Sequence, residues 1–279
     1  MADPLVLTVD ELRALCRVAE LSLPRFVTAA DSGAVAVDTA ALRGLAARGL
    51  VRLTGRATLD AIQVTETLTR LLAPCSAARL LAEIEIESSG RVTNFAGAAG
   101  VDRSVTLFTE LGTGLVSVER VTTDVDQVLA RHCRIAELTE SAGGAGFAVD
   151  AEVQADADAL ALAGDEDAAV GTLTAGGVPE QIARAWIVAV TGRRLAVAVT
   201  AVRRSGGGIV EAGELRWLVA GDGTAWRVES GATEAAEMPA AYDVEPPSIA
   251  VITPVGRAVI AADLAALAGR PVTREVANQ

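Results

Sequence analysis

The sequence contains no lysine. Its 24 basic residues are all arginine and stand against 36 carboxylates, which gives a formal net charge of −12 at pH 7. A P-loop needs a lysine to reach the phosphates of a nucleotide, so this motif is excluded. Binding to a nucleic-acid duplex needs clustered cations that displace counterions from the phosphates, so the charge balance predicts no nucleic-acid partner.

Histidine and cysteine, the residues of many metal and nucleophilic sites, are also scarce. His132 is the single histidine, and Cys16, Cys75 and Cys133 are widely spaced, with no Cys-x-x-Cys pair. Neighbouring side chains on a helix point about 100° apart, so His132 and Cys133 do not form a nucleophile–base pair. Zinc sites need several convergent ligands. We therefore predict no metal, no cofactor and no catalytic residue, and interpret the protein as a non-enzyme.

Long apolar runs are absent as well, although 51% of the residues are hydrophobic. Arginine or aspartate interrupts each run before it reaches the length that spans a bilayer. The first residues lack the basic region and apolar core of a signal peptide. These observations predict a cytoplasmic protein without membrane insertion. We further expect it to be either a monomer or a homodimer.

The middle of the chain is strongly acidic. Residues 150–167 carry seven carboxylates and no basic residue, but lack the central glycine of a calcium loop. We interpret this run as solvated helices, over 151–163 and 165–174, followed by a helix from Pro179 to Val190. Before it, "LLAEIEIES" places Ile84 and Ile86 on one face of a strand and glutamates on the other, which predicts one buried and one wet face.

Two long stretches repeat the same order of predicted elements. "VTLFTELGTGLVSVERVTTDVDQVLARHC" reads as strand, glycine turn, strand and helix, and "LRWLVAGDGTAWRVES" followed by "SIAVITPVGRAVIAADLAALAG" repeats it with one insertion. We predict an α/β (α+β) fold of two related halves whose sheets join. The predicted divisions are 1–140, an acidic helical segment 141–192, and 193–279, packed as one compact unit.

Residues 45–75 have the order of a winged helix, with a second helix predicted from Leu59 to Leu72 that stops before Pro74. One alternative function is therefore a winged-helix regulator with a ligand-binding sheet domain, which a basic face on that helix would favour. Another is a small enzyme with an unrecognised site, which a deep polar pocket would favour.

Several short motifs occur in an order that resembles one known family. They are "LTVDELRAL", "LAARGLV", "TRLLAPC", "AWRV" and a final strand, "TP" and helix. Together they are similar to the EspG family, the secretion-associated chaperones of actinobacterial type VII (ESX) systems. The resemblance implies two quasi-symmetric α/β halves around a central, largely antiparallel sheet, with a helical subdomain. It also implies a cytosolic chaperone that covers the apolar helical tip of a PE/PPE-like secretion substrate and keeps it export-competent.

The resemblance further implies that two elements contact the partner. One is a loop between two early strands, and the other is a set of helices in the later half. Here these correspond to residues 98–103 and 151–190. In the loop "GAAGVDR", Val101 is an unusually apolar turn residue beside Asp102 and Arg103. On the helix from Pro179, apolar residues four positions apart form a stripe along one side of the helix. This stripe either receives an amphipathic helix of the partner or belongs to the core. The predicted stripe consists of Ile182, Trp186 and Val190.

Overall fold

The computed structural model describes residues 4–19, 21–28, 35–54, 62–76, 78–100, 103–205, 208–232 and 248–269. The first part of the chain forms, in order, β1 (Leu5–Thr8), α1 (Val9–Ala19), α2 (Arg25–Thr28), α3 (Val35–Ala47), β2 (Val51–Leu53), β3 (Ile62–Val64), α4 (Glu66–Ser76), β4 (Leu80–Ser88), β5 (Arg91–Ala99), β6 (Ser104–Gly112), β7 (Leu115–Thr122) and α5 (Val125–His132). The second forms β8 (Phe147–Asp150), α6 (Ala151–Leu162), α7 (Glu166–Ala175), α8 (Glu180–Thr191), β9 (Leu195–Ser205), β10 (Gly208–Val219), β11 (Ala225–Ala232), β12 (Ser248–Val255) and α9 (Arg257–Leu267).

Ten of these strands form one antiparallel sheet. Their order is β1-β7-β6-β5-β4-β9-β10-β11-β12-β8, while β2 and β3 form a separate hairpin. The central pair, β4 and β9, joins the two parts of the chain, with Glu85 opposite Ala198. The predicted union of two sheets into one is confirmed.

The sheet is quasi-symmetric about that central pair. Each part begins with a short edge strand, continues through helices to a central strand, returns by three antiparallel strands to its edge, and ends in a helix. The helices α6 to α8 therefore occupy the place in the second part that α1 to α4 occupy in the first. The predicted fold class of two quasi-symmetric halves around a largely antiparallel sheet is confirmed.

Apolar side chains cover the two faces of the sheet differently. On one face, α1, α3 and α4 pack around Leu81, Ala98 and Phe108, and α6 to α8 pack around Trp226 and Ile252. On the opposite face, α5 and α9 cover the centre of the sheet. The core beneath them includes Ile84, Val199, Trp217, Leu129 and Leu264. Helices thus cover both ends of the first face and the middle of the second.

Thr8 and Glu11, in the sequence "TVDE", form a capping box at the start of α1. The Thr8 backbone N–H donates to Glu11 Oε2 (2.9 Å), and the Glu11 N–H donates to Thr8 Oγ1 (3.0 Å). Glu11 is only 6% exposed, and Arg48 Nη1 also donates to its Oε2 (3.0 Å). A buried carboxylate is costly unless it is paired, so the cap and Arg48 together account for its position.

The helix predicted over Leu59–Leu72 is wrong at both ends. Residues 62–64 pair with 51–53 as β3, and α4 continues past Pro74 to Ser76. Proline has no N–H to donate to the carbonyl four residues earlier, so this position normally ends a helix. Here Arg120 Nη1 donates to that carbonyl, Arg70 O (3.1 Å), so tertiary structure replaces the missing hydrogen bond.

We expected the "TP" pair, Thr253 and Pro254, to open the final helix, but the helix starts later. Thr253 and Pro254 belong to β12, and α9 begins at Arg257 after the N-cap Gly256. Pro254 lies beyond the last β12–β8 pair, which joins Ile252 to Phe147, so β8 needs no ladder hydrogen bond from this residue. None of the helices in the described ranges is long and apolar enough to cross a membrane.

Candidate functional site

A groove of about 980 Å³ opens on the first face of the sheet, between its two helical ends. Its floor is formed by β4, β9 and β10, where none of the helices in the described ranges covers this face. One wall contains Arg25 and Phe26 of α2, and the other contains Asp158 and Leu162 of α6 together with Trp186 of α8. The groove follows from the fold because each half places its helices toward the outer strands.

The groove has a charged floor because the strands alternate. Glu83, Glu85 and Glu87 of β4 point to the open face, whereas Ile84 and Ile86 point into the core beneath α5 and α9. The solvent-exposed face predicted for this strand is therefore confirmed.

Three arginines of the groove pair with its glutamates. Arg25 Nε donates to Glu83 Oε2 (2.9 Å), and the Arg25 backbone N–H donates to Glu83 Oε1 (2.9 Å), which attaches α2 to the floor. Arg193 Nη2 donates to Glu87 Oε1 (2.7 Å), and so links the turn after α8 to β4. On β10, Arg216 Nε donates to Glu214 Oε1 (2.8 Å). The first two pairs connect the floor of the groove to its two sides, and the third lies within the floor.

The second wall contains a partly buried carboxyl group. Trp186 Nε1 donates to Asp158 Oδ1 (2.8 Å), and the Gln154 amide donates to Oδ2. Burial raises the pKa of Asp158 to about 6, although both hydrogen bonds and the nearby charge of Arg193 act in the opposite direction. A raised carboxyl pKa in a groove is also found in general acids. Here donors occupy both oxygens, so the arrangement supports a structural hydrogen-bond cluster.

The predicted stripe on α8 lies mostly in the core. Trp186 is 1% exposed and stacks edge-on against Trp226, with ring centroids 5.7 Å apart. Val190 is 2% exposed, and Ile182 is half-buried against the same core. Trp186 and Val190 nevertheless line the groove, whereas Ile182 does not. Their binding of a partner stays a prediction.

The predicted loop site is separate from the groove. Val101 and Asp102 lie outside the described residues. Arg103 is exposed, has a left-handed backbone conformation (φ 58°), and pairs with Asp124, Nε to Oδ1, at 3.3 Å. It lines a small cavity of about 210 Å³ with Arg79 and Ser104. In the described part of the chain, the loop and the α8 stripe do not share a cavity, and the loop's role stays a prediction.

The sequence alone did not identify the floor of this groove as a site. Glu83, Glu85 and Glu87 were recognised as a wet face, but that pattern is typical of any half-covered antiparallel sheet. Glu214 and Arg216 gave no signal, because their relation to β4 depends on the pairing of β4 with β9 and of β9 with β10. Only the assembled sheet brings these side chains together.

Features of a winged-helix regulator and of a metal site are few in the described ranges. Helix α4 carries one arginine, Arg70, which forms an ion pair with Glu66, so the basic face expected of a winged-helix regulator is not seen there. No group of three potential metal ligands occurs among the described residues. Burial lowers the pKa of His132, which packs against Phe95, and raises the pKa of the Cys133 thiol.

Comparison with known proteins gives no match in sequence but does give a match in fold. No family model matches the chain, and no curated protein matches it in sequence. A solved structure, that of the Mycobacterium tuberculosis type VII secretion system chaperone EspG5 in complex with the PE25–PPE41 dimer, matches with a TM-score of 0.58 over 94% of both chains. The fold is that of EspG5. At 13% identity the likeness shows the fold alone, and it agrees with the resemblance to the EspG family read from the sequence motifs.

Proposed function

We propose that this protein is a cytoplasmic chaperone that binds a helical type VII secretion substrate of the PE/PPE kind and keeps it soluble and export-competent. The observation that carries the proposal is the open groove over the centre of an EspG5-like sheet. EspG5 is itself a chaperone, and its solved structure contains a PE25–PPE41 dimer. The proposed activity is binding, with no chemical step.

The size of the groove supports a helical occupant. An α-helix about 10 Å wide fills a volume of about 940 Å³ over a length of about 12 Å, which is roughly eight residues. The groove holds about 980 Å³, which is about the volume of two turns of one helix, and α2 and α6 form part of its two walls.

Apolar side chains on the walls support a partly apolar partner. Leu162 is 56% exposed at the end of α6, and Phe26 is half-buried on α2. Exposed leucine in a concave, polar-rimmed site is typical of an interaction surface. We propose that these two side chains cover the apolar tip of the substrate, together with the edges of Trp186 and Val190 that reach the groove.

The loop over residues 98–103 provides a second proposed contact. Val101 would bury an apolar side chain against the partner, while Asp102 and Arg103 would set its register. The exposure of Arg103 supports this role, since 78% of its side chain is accessible despite its pair with Asp124. A substrate longer than the groove would be needed to reach both places.

The test is co-purification with the helical secreted proteins encoded beside this gene. We expect a stable complex with one of them for the wild type, and weaker complexes for Val101→Asp and Arg103→Glu. Unchanged affinity of both loop variants, with normal folding, would remove the loop from the interface. If the wild type binds no helical secreted protein from its own locus, the chaperone proposal is wrong.

A further inference from the structure

The groove retains unpaired negative charge after its internal ion pairs are counted. Its floor and walls contain five carboxylates, and its three arginines each pair with one of them. Among the described residues, Asp158 receives hydrogen bonds from the neutral donors of Trp186 and Gln154, and the charge of Arg193 lies nearby without an ion pair to it. Glu85 has no hydrogen-bond or ion-pair partner within the described ranges. Glu85 is therefore the exposed carboxylate that remains for a ligand.

Glu85 lies in the floor, on β4. Its neighbours across the strands are Asn94 on β5 and Ala198 on β9. The Asn94 amide is already used, since its Nδ2 donates to Glu110 Oε2 (2.6 Å). Ala198 has a small side chain and leaves the space beside Glu85 open. Beyond it lies Arg216, two strands or about 10 Å away along the sheet.

Covering the groove would change the environment of this carboxylate. A partner that displaces water without supplying a cation leaves Glu85 desolvated and unpaired, which is strongly unfavourable. A partner with a lysine or arginine at this point replaces the lost water by a charge-assisted hydrogen bond. The same residue thus favours basic partners and disfavours acidic ones.

We propose that the groove selects an amphipathic helix that carries a lysine or arginine on the side facing the sheet, and that Glu85 pairs with this cation. The inference rests on the proposed function and deepens it by naming the chemistry of the partner. The apolar residues of the helix would contact Leu162 and Phe26 on the walls, while the basic residue reaches the floor between them.

Four synthetic helical peptides of identical length and apolar stripe test this inference. They differ at one central position, which is Lys, Arg, Gln or Glu, and their affinity for the full chain is measured by fluorescence anisotropy. We expect the Lys and Arg peptides to bind about tenfold more tightly than the Glu peptide at low salt. The preference should shrink at high salt, because mobile ions screen an accessible charge pair.

Glu85→Gln and Asp156→Asn are the matched variants, since each removes one exposed carboxylate that has no partner within the described ranges. Asp156 lies on α6, half a turn away from the groove-facing Asp158. We expect Glu85→Gln to reduce the preference to within about twofold and Asp156→Asn to leave it unchanged. A preference that survives Glu85→Gln, equal binding of all four peptides, or no binding of any peptide would overturn the inference. Where co-purification succeeds and the peptides show no such preference, the chaperone proposal stands and the role of Glu85 is wrong.

Discussion

The two faces of the central strands are built from alternate residues of the same sequence and have different surroundings. Toward α5 and α9, the strands present Ile84 and Val199 to a closed apolar core. Toward the groove, the adjacent residues Glu85 and Thr200 are not covered by any helix of the described part of the chain. The difference shows that the fold depends on one face, while the other is free to carry a surface for a partner.

The largest expected effect is on the free energy of unfolding, and it distinguishes two neighbouring residues, Ile84 and Glu85, on opposite faces of β4. Ile84→Ala leaves a cavity in the core and should lower the free energy of unfolding by about 3 kcal/mol. Glu85→Ala removes an exposed, unpaired side chain and should change it by less than about 0.5 kcal/mol. Urea unfolding measures both. Similar losses in the two variants would contradict the distinction between the faces.

A smaller loss of unfolding free energy is expected for a substitution at Trp186, in the second wall of the groove. Trp186→Phe removes the hydrogen bond to Asp158 and part of the buried ring, and should cost about 2 kcal/mol. Trp226→Phe is the matched control, because it loses similar ring volume but no donor to Asp158. We expect about 1 kcal/mol for that control. Equal costs would mean that the Asp158 contact contributes nothing.

The carboxyl of Asp158 predicts a pH-dependent effect of similar or smaller size. Its folded-state pKa of about 6 exceeds its ordinary value of 3.8, so the folded state binds the proton more tightly than the unfolded state. Its unfavourable contribution therefore grows as the pH rises from about 4 to about 6 and stays constant above that. The shift corresponds to at most about 3 kcal/mol, and partial exposure reduces this to about 1 kcal/mol.

Asp158→Asn should remove this dependence and keep the acceptor for Trp186. We expect the variant to match the wild type in unfolding free energy at pH 4 and to exceed it by about 1 kcal/mol at pH 7. Asp156→Asn, on the exposed side of the same helix, provides the control and should not show the trend. A difference that is independent of pH would contradict the assignment.

Local sequence patterns predicted most elements of the fold because their causes are local. Alternation placed Ile84 and Glu85 on opposite faces, and the capping box at Thr8 and Glu11 marked the start of α1. The predictions failed where tertiary contacts decided the outcome. Arg120 lets α4 continue through Pro74, and the β12–β8 pairing ends before Pro254, so a proline is tolerated in this strand.

The groove was harder to predict because its parts are distant in sequence. Arg25 and Glu83 meet only when α2 packs on the sheet, and Arg216 faces the groove only through the pairing of β9 with β10. The stripe on α8 was visible in the sequence, but amphipathic spacing is the same for a core helix and a docking helix. Burial of Trp186 in the folded chain could not be derived from that spacing.

The most direct test of the central claim is to block the groove without disturbing the core. Ala198→Trp introduces a large side chain at the centre of the open floor, and Ala155→Trp introduces the same side chain at an exposed position of α6 that does not line the groove. The affinity of each variant for the co-purified helical substrate is measured by calorimetry. The account predicts at least about tenfold weaker binding for Ala198→Trp and unchanged binding for Ala155→Trp. Wild-type affinity in a folded Ala198→Trp variant would contradict the groove as the binding site.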